Sequence, residues 1–192
     1  LINHGLTPQE IFFYRFLIAY LGIWVISPKR LFTNNWQDEL WLVAGGIFGG
    51  SLYFFTENTA LGITQASNVS FIICTAPLLT TILSLLFYKS EKASKGLIYG
   101  SLLALMGVGL IVFNGSFVLK ISPIGDLLTL LAALSWAFYS LIIKKMAGRY
   151  PTVFITRKIF FYGVLTILPA FLLHPLHPDT VVLLQPAVLF NL

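Results

Sequence analysis

Tyr53 and Glu57 stand four residues apart near the end of an apolar stretch. That spacing puts the phenol and the carboxylate on one face of a helix. An ionisable group at a membrane-helix centre costs about 2.5–3.5 kcal/mol on insertion scales, so it marks a candidate site. Glu57 fits two roles. It is a carboxylate at the interfacial end of a helix, or an anchor for a solute's charge that could also exchange a proton. Arg15, about two turns into an earlier apolar run, is open in the same way. It snorkels to the outer interface or pairs with Glu10, or it anchors solute charge. Trp136 lies well inside another run, away from the interfacial belt where tryptophan usually sits. Asp126, Thr129, Ala133, Trp136 and Ser140 share one face there, with Tyr139 beside it. A ring with hydroxyl neighbours lines a solute cavity or packs helix against helix.

A second set of polar groups follows a short corner, Gly62 to Asn68. Ser67, Ser70, Cys74, Pro77, Thr81, Ser84 and Tyr88 recur at steps of three and four. The spacing predicts one stripe on one helix. Ser70, Cys74 and Thr81 are its candidate cavity-lining members, and a tight helix seam is the competing role. Cys74 is the single cysteine, so no disulfide framework exists within the chain. It has no Cys or His neighbour for a metal site and reads as a small packing residue. No HExxH, no Walker A glycine loop and no TVGYG filter occurs. The three histidines, His4, His174 and His177, all lie near loops. No catalytic constellation, cofactor motif or metal set emerges.

Helices must hold these groups. The chain is 57% hydrophobic and only 10% charged. A soluble domain usually carries about 25% charged residues, so this composition suits a polytopic membrane protein. Apolar runs cover about Ile11–Ile26, Leu40–Thr56, Val69–Tyr88, Leu97–Phe113, Ile124–Ile143 and Val153–Leu173, with a seventh beginning near Val181. The fold class expected is an all-α bundle of about seven transmembrane helices. Pro77 and Pro169 fall inside runs, where each removes a backbone donor and favours a kink. The pairs Gly45/Gly49 and Gly46/Gly50, and Gly96/Gly100 followed by Gly107, predict close helix contacts. Asp126, after Pro123 and Gly125, suits a helix start.

The basic residues set the orientation. Ten of the twelve (Lys29, Arg30, Lys89, Lys92, Lys95, Lys144, Lys145, Arg149, Arg157 and Lys158) lie on or beside alternate connections. Those connections are therefore cytoplasmic, and the corner at Gly62 to Asn68 faces outside. The net charge of +5 is topological and implies no nucleic-acid partner. The lipid bilayer is the partner it does imply.

A weak internal repeat accompanies this pattern. Pro8 precedes Arg15 by seven residues, and Pro151 precedes Lys158 by seven. The first copy enters from outside and the second from the cytoplasm, so the copies are inverted. Inverted repeats are a recurring transporter plan, with the solute site near the midplane. A matching helix is then expected before Leu1 and others after Leu192, ten in all. Leu1 in place of Met, and Leu192 inside an apolar run, suggest a fragment.

Several motifs in order carry a resemblance. They are Ala60-Leu61-x-x-Thr64-x-Ala66-Ser67, Ala76-Pro77-Leu78-Leu79, Glu91, Gly96-x-x-x-Gly100 and Gly107-Val108-x-Leu110. This series resembles the EamA-type domain of the drug/metabolite transporter superfamily. Gly125-Asp126-Leu127-Leu128 through Trp136-Ala137-x-Tyr139 resembles the start of that family's second repeat, and Pro8-x-Glu10 to Arg15 the second helix of its first. The resemblance implies ten helices in two inverted five-helix repeats that carry small organic solutes. Residues 1–114 would be the first repeat without its first helix, and 124–192 a truncated second. The leading expectation is a secondary transporter of small metabolites or amino-acid-like solutes in the plasma (inner) membrane, working by alternating access and not as an enzyme. A membrane enzyme acting on a lipid-linked substrate, and a channel, are the alternatives. The substrate-binding residues expected are Arg15, Tyr53, Glu57, Ser70, Cys74, Thr81, Trp136 and Tyr139. Nothing in the residues sets an oligomeric state.

Overall fold

A computed structural model describes residues 7–28, 32–33, 35–88, 95–113 and 122–173. The described residues are all helical or irregular, with no strand among them. The helices are α1 (Pro8–Ile26), α2 (Trp36–Gly46), a π turn (Ile47–Ser51), α3 (Leu52–Ile63), α4 (Ala66–Ile73), α5 (Ala76–Phe87), α6 (Lys95–Phe113), α7 (Pro123–Ala147), α8 (Thr152–Ile167) and α9 (Ala170–Leu173). Among the described residues, four segments are long and apolar enough to cross a membrane: Gln9–Ile26, Ala66–Phe87, Pro123–Ala147 and Thr152–Leu172. Ile98–Gly107 is a shorter apolar helix. The seventh run, near Val181, lies outside the described residues, as do the turns at Asn114-Gly115-Ser116 and His174–Pro178.

Local chemistry sets the helix starts. The Thr7 hydroxyl accepts from the Glu10 N–H at 3.3 Å, and the Glu10 carboxylate accepts from the Thr7 N–H at 2.8 Å. This capping box, with Pro8 at the first helical position, satisfies donors that a helix start would otherwise orphan. Asn35 caps α2 by accepting from the Gln37 N–H at 3.0 Å. Asp126 starts α7 as expected, since its carboxylate accepts from the Ser122 N–H at 3.2 Å.

Each proline kinks its run, and the helical hydrogen-bond ladder breaks at the kink. The third run is two helices, α4 and α5, joined by a tight turn at Cys74 and Thr75. Pro77 has no N–H to give the ladder, and the Thr75 N–H bonds three residues back to the Ile72 carbonyl at 2.9 Å. The polar stripe is therefore split between two helices. Likewise Leu168 and Pro169 separate α8 from α9.

The chain divides into two compact units. The first comprises residues 1–51 and 146–192, and the second Leu52–Lys145. In the first, α8 is the axis on which α1, α2 and the π turn pack. A Cβ added at Gly46 would lie 2.5 Å from the Tyr162 Cβ, and one at Gly163 would lie 2.6 Å from the Phe16 ring. The Gly46 and Gly50 seam is thus a real close approach, with α8 as its partner. Phe16 meets Phe160 edge-on at 5.0 Å, and Phe13 meets Phe171 at 5.6 Å.

In the second unit, α4 packs against α3 and α6, and α5 also touches α6. On α6, a Cβ at Gly100 or Gly107 would meet nothing within 4 Å among the described residues. The C-terminal end of α3 and the N-terminal end of α7 are pinned together. The Ser122 hydroxyl donates to the Ile63 carbonyl at 3.2 Å, and a Cβ on Gly125 would come within 2.7 Å of the Thr64 side chain. At the other end the Tyr88 hydroxyl donates to the Leu141 carbonyl at 3.4 Å, and the Lys144 ammonium sits 5.3 Å from the Tyr88 ring centroid.

Candidate functional site

Four of the eight expected site residues meet inside the second unit. The Tyr53 hydroxyl donates to the Glu57 carboxylate at 3.1 Å along α3. The Trp136 ring of α7 lies against Tyr53, with centroids 5.1 Å apart and planes tilted by 53°. Tyr139 continues the wall, 5.1 Å from Trp136. Phe54 closes on Tyr53 edge-on at 5.3 Å.

Several hydroxyl and amide groups of these helices bond to their own backbone. Thr56 donates to the Leu52 carbonyl at 2.8 Å, Asn58 to Phe54 at 2.7 Å and Thr59 to Phe55 at 2.6 Å. On α7, Thr129 donates to the Gly125 carbonyl at 2.7 Å and Ser140 to Trp136 at 2.9 Å. Ala132, Ala133 and Ala137 are fully buried on the packed side of α7, while Trp136 keeps 40% of its surface exposed. The Glu57 carboxylate and the three rings thus form one cluster between α3 and α7.

Along α3, which rises 1.5 Å per residue, Tyr53 lies ten residues before Ile63, about 15 Å, and Glu57 six residues before it, about 9 Å. Along α7, Trp136 lies thirteen residues after Pro123, about 20 Å.

The other expected residues stand elsewhere. Ser70 is exposed and Cys74 and Thr81 are half-buried. The Thr81 hydroxyl donates to the Pro77 carbonyl at 2.9 Å. None of the three bonds to the Glu57 cluster among the described residues. Arg15 is on α1, in the first unit, and is exposed. Its suggested neighbour Glu10 closes the capping box of that helix.

Reading the residues alone misses a charged cluster in the first unit. Lys158 of α8 has a fully buried side chain and forms an ion pair with Glu39 of α2. Tyr162 donates to the same carboxylate oxygen. The other oxygen accepts from the Thr33 N–H at 2.9 Å and from its hydroxyl at 2.7 Å. The Phe32 and Tyr162 rings lie 4.5 and 4.6 Å from the ammonium. Beside it, Asp38 pairs with Arg149 at 2.6 Å and accepts from the Tyr150 hydroxyl at 2.8 Å. That bond to a carboxylate holds the Tyr150 proton and pushes its titration above the ordinary tyrosine value. Arg157 donates to the Ser27 carbonyl. The one visible signal was the adjacent acidic pair Asp38-Glu39 opposite a basic-rich stretch. Each charge here already has a protein partner, so this cluster serves structure.

Comparison with known proteins agrees with the membrane setting. A model of the EamA-like transporter family matches residues 1–113. An uncharacterized transporter of Archaeoglobus fulgidus is 30% identical over 168 residues, covering 85% of this chain and 57% of the relative. An uncharacterized transporter of Bacillus subtilis, YdfC, is 31% identical over 151 residues, covering 76% of this chain and 47% of its own. A second Archaeoglobus fulgidus transporter is 26% identical over 178 residues, covering 92% and 59%. The chain thus spans between 47% and 59% of the length of these relatives. No solved structure matches it significantly.

Proposed function

Because the chain belongs to the EamA-like transporter family, we propose that the complete protein is a secondary transporter of small metabolites or amino-acid-like solutes, working by alternating access in the plasma membrane. The chain is an integral, multi-pass membrane protein. In this proposal it supplies about seven of ten helices, arranged as two inverted five-helix repeats. Residues 1–114 belong to the first repeat and 124–192 to the second. Arg15 and Lys158 then occupy matching places in the two copies.

One observation carries the reading: a carboxylate and three aromatic rings, from two helices of an apolar chain, gather in one cluster. Inverted-repeat transporters build their solute sites from such helices, near the midplane. A polar group is costly there and is kept where it lines a path or a cavity. Glu57, Tyr53, Trp136 and Tyr139 are the solute-contacting residues in this proposal.

The test is uptake by the full-length protein in proteoliposomes, screened over small solutes with and without a pH gradient. Glu57→Gln removes the charge and keeps the shape. Uptake should fall at least tenfold, and unchanged uptake would remove Glu57 from the mechanism.

A further inference from the structure

The geometry points to an organic ammonium group as the part of the solute that Glu57 and its aromatic neighbours hold. The inference rests on reading this cluster as the solute site, and it adds the charge of what binds there.

Consider where each described acidic side chain spends its charge. Glu10 closes the capping box of α1. Asp38 has Arg149 and Tyr150, and Glu39 has Lys158, Tyr162 and Thr33. Asp126 caps α7 and accepts from the Thr64 hydroxyl. Glu57 differs. Its hydrogen bond comes from the Tyr53 hydroxyl, and no Lys or Arg pairs with it among the described residues. An ionised carboxylate offers about four lone-pair sites, and one hydroxyl fills one of them. A half-buried carboxylate beside aromatic rings suits a cation, and the described residues bring none.

The rings select the same sign. An aromatic face carries negative potential and attracts a cation within about 6 Å of its centroid. Tyr53, Trp136 and Tyr139 form one wall with successive centroids 5.1 Å apart, and Trp136 is 40% exposed. A solute carboxylate would meet repulsion from both Glu57 and the ring faces. A neutral solute would gain hydrogen bonds only. An ammonium bearing apolar substituents gains the ion pair with Glu57 and contact with the wall.

The experiment measures equilibrium binding to the full-length protein in nanodiscs, with two probes and their neutral partners. Choline is set against its carbon isostere dimethylbutanol, and isoamylamine against isoamyl alcohol. At least one ammonium probe should bind tenfold or more tightly than its partner. Glu57→Gln should reduce that preference to under twofold. Trp136→Leu, which leaves the carboxylate intact, should weaken the ammonium probe by roughly three- to thirtyfold, the range expected of a desolvated cation–π contact. Trp136→Phe should recover most of it. Equal affinity within both pairs, no saturable ammonium binding, or an undiminished preference in both Glu57→Gln and Trp136→Leu overturns the inference. Uptake by the same proteins reconstituted in proteoliposomes separates the two readings. Ammonium binding without flux of any solute overturns the transport reading and keeps the cation site. Flux without ammonium preference keeps transport and overturns the cation site.

Discussion

Substituting Glu39 tests whether the first unit is held by its buried ion pair. Lys158 is fully buried and the Glu39 side chain is 9% exposed, so solvent does little to screen the pair. Glu39→Gln leaves one carbonyl oxygen for four donors: Lys158, Tyr162 and the N–H and hydroxyl of Thr33. Either the ammonium or Thr33 then faces an amide N–H₂. Breaking a buried pair from one side costs about 3–5 kcal/mol. Thr33 is only half-buried, so water can replace its acceptor, which favours the lower part of that range. We expect about 3–4 kcal/mol, or roughly two to three powers of ten in the folded-to-unfolded ratio. The double variant Glu39→Met/Lys158→Met removes both charges and fills similar volume. It should fall within about 1 kcal/mol of the native protein. Equilibrium unfolding in mixed micelles reads Glu39→Gln and the cycle of native protein, Glu39→Met, Lys158→Met and the double variant. If Glu39→Gln unfolds like the native protein, or the double variant is less stable than both single ones, the pair is not what holds α2 to α8.

Gly46→Ala and Gly163→Ala should each cost about 1–3 kcal/mol in the same assay, because each new methyl meets a neighbour closer than 3 Å. Gly100→Ala is the control: with open space around it, the change should be neutral or stabilising by up to about 1 kcal/mol. Tyr150→Phe removes a hydroxyl whose titration Asp38 raises above the ordinary value near 10. The stability it contributes is therefore fully present below pH 10 and lost as pH rises through the raised value. The gap between native and variant unfolding should be flat from pH 7 to about 10 and shrink above it. Asp126→Ala should cost about 1 kcal/mol through the start of α7, read as a lower unfolding midpoint.

The helical runs were legible because apolar periodicity and turn residues are local signals. So were the shared face of Tyr53 and Glu57 and the helix-starting role of Asp126, which need only a few residues' spacing. The glycine pairs were half legible. The pattern is the same in α2 and α6, but only a facing element such as Tyr162 of α8 makes a seam. The split at Cys74 was not legible, because the residues beyond Pro77 keep their three-and-four spacing whether the helix continues or breaks. Nor was the partner of Glu39. It lies 119 residues away, and a helical face says which residues travel together without saying what they meet. Trp136 was marked as deep in its run, but that it would rest on Tyr53 depended on how α3 and α7 pair at their ends.

The first unit is broken in sequence, and this bears on the order in which the chain is made. Its early part ends at Ser51, and its axis α8 begins only at Thr152. A ribosome adds about 5–20 residues per second, so the 119 residues from Glu39 to Lys158 take roughly 6–24 s. For that interval α1 and α2 are in place with the Gly46 face uncovered and the Glu39 carboxylate without its ammonium. The second unit, unbroken from Leu52 to Lys145, can close while the first still waits. Lys158 is the later-made partner, so its counter-charge is already in the chain when the ammonium is added.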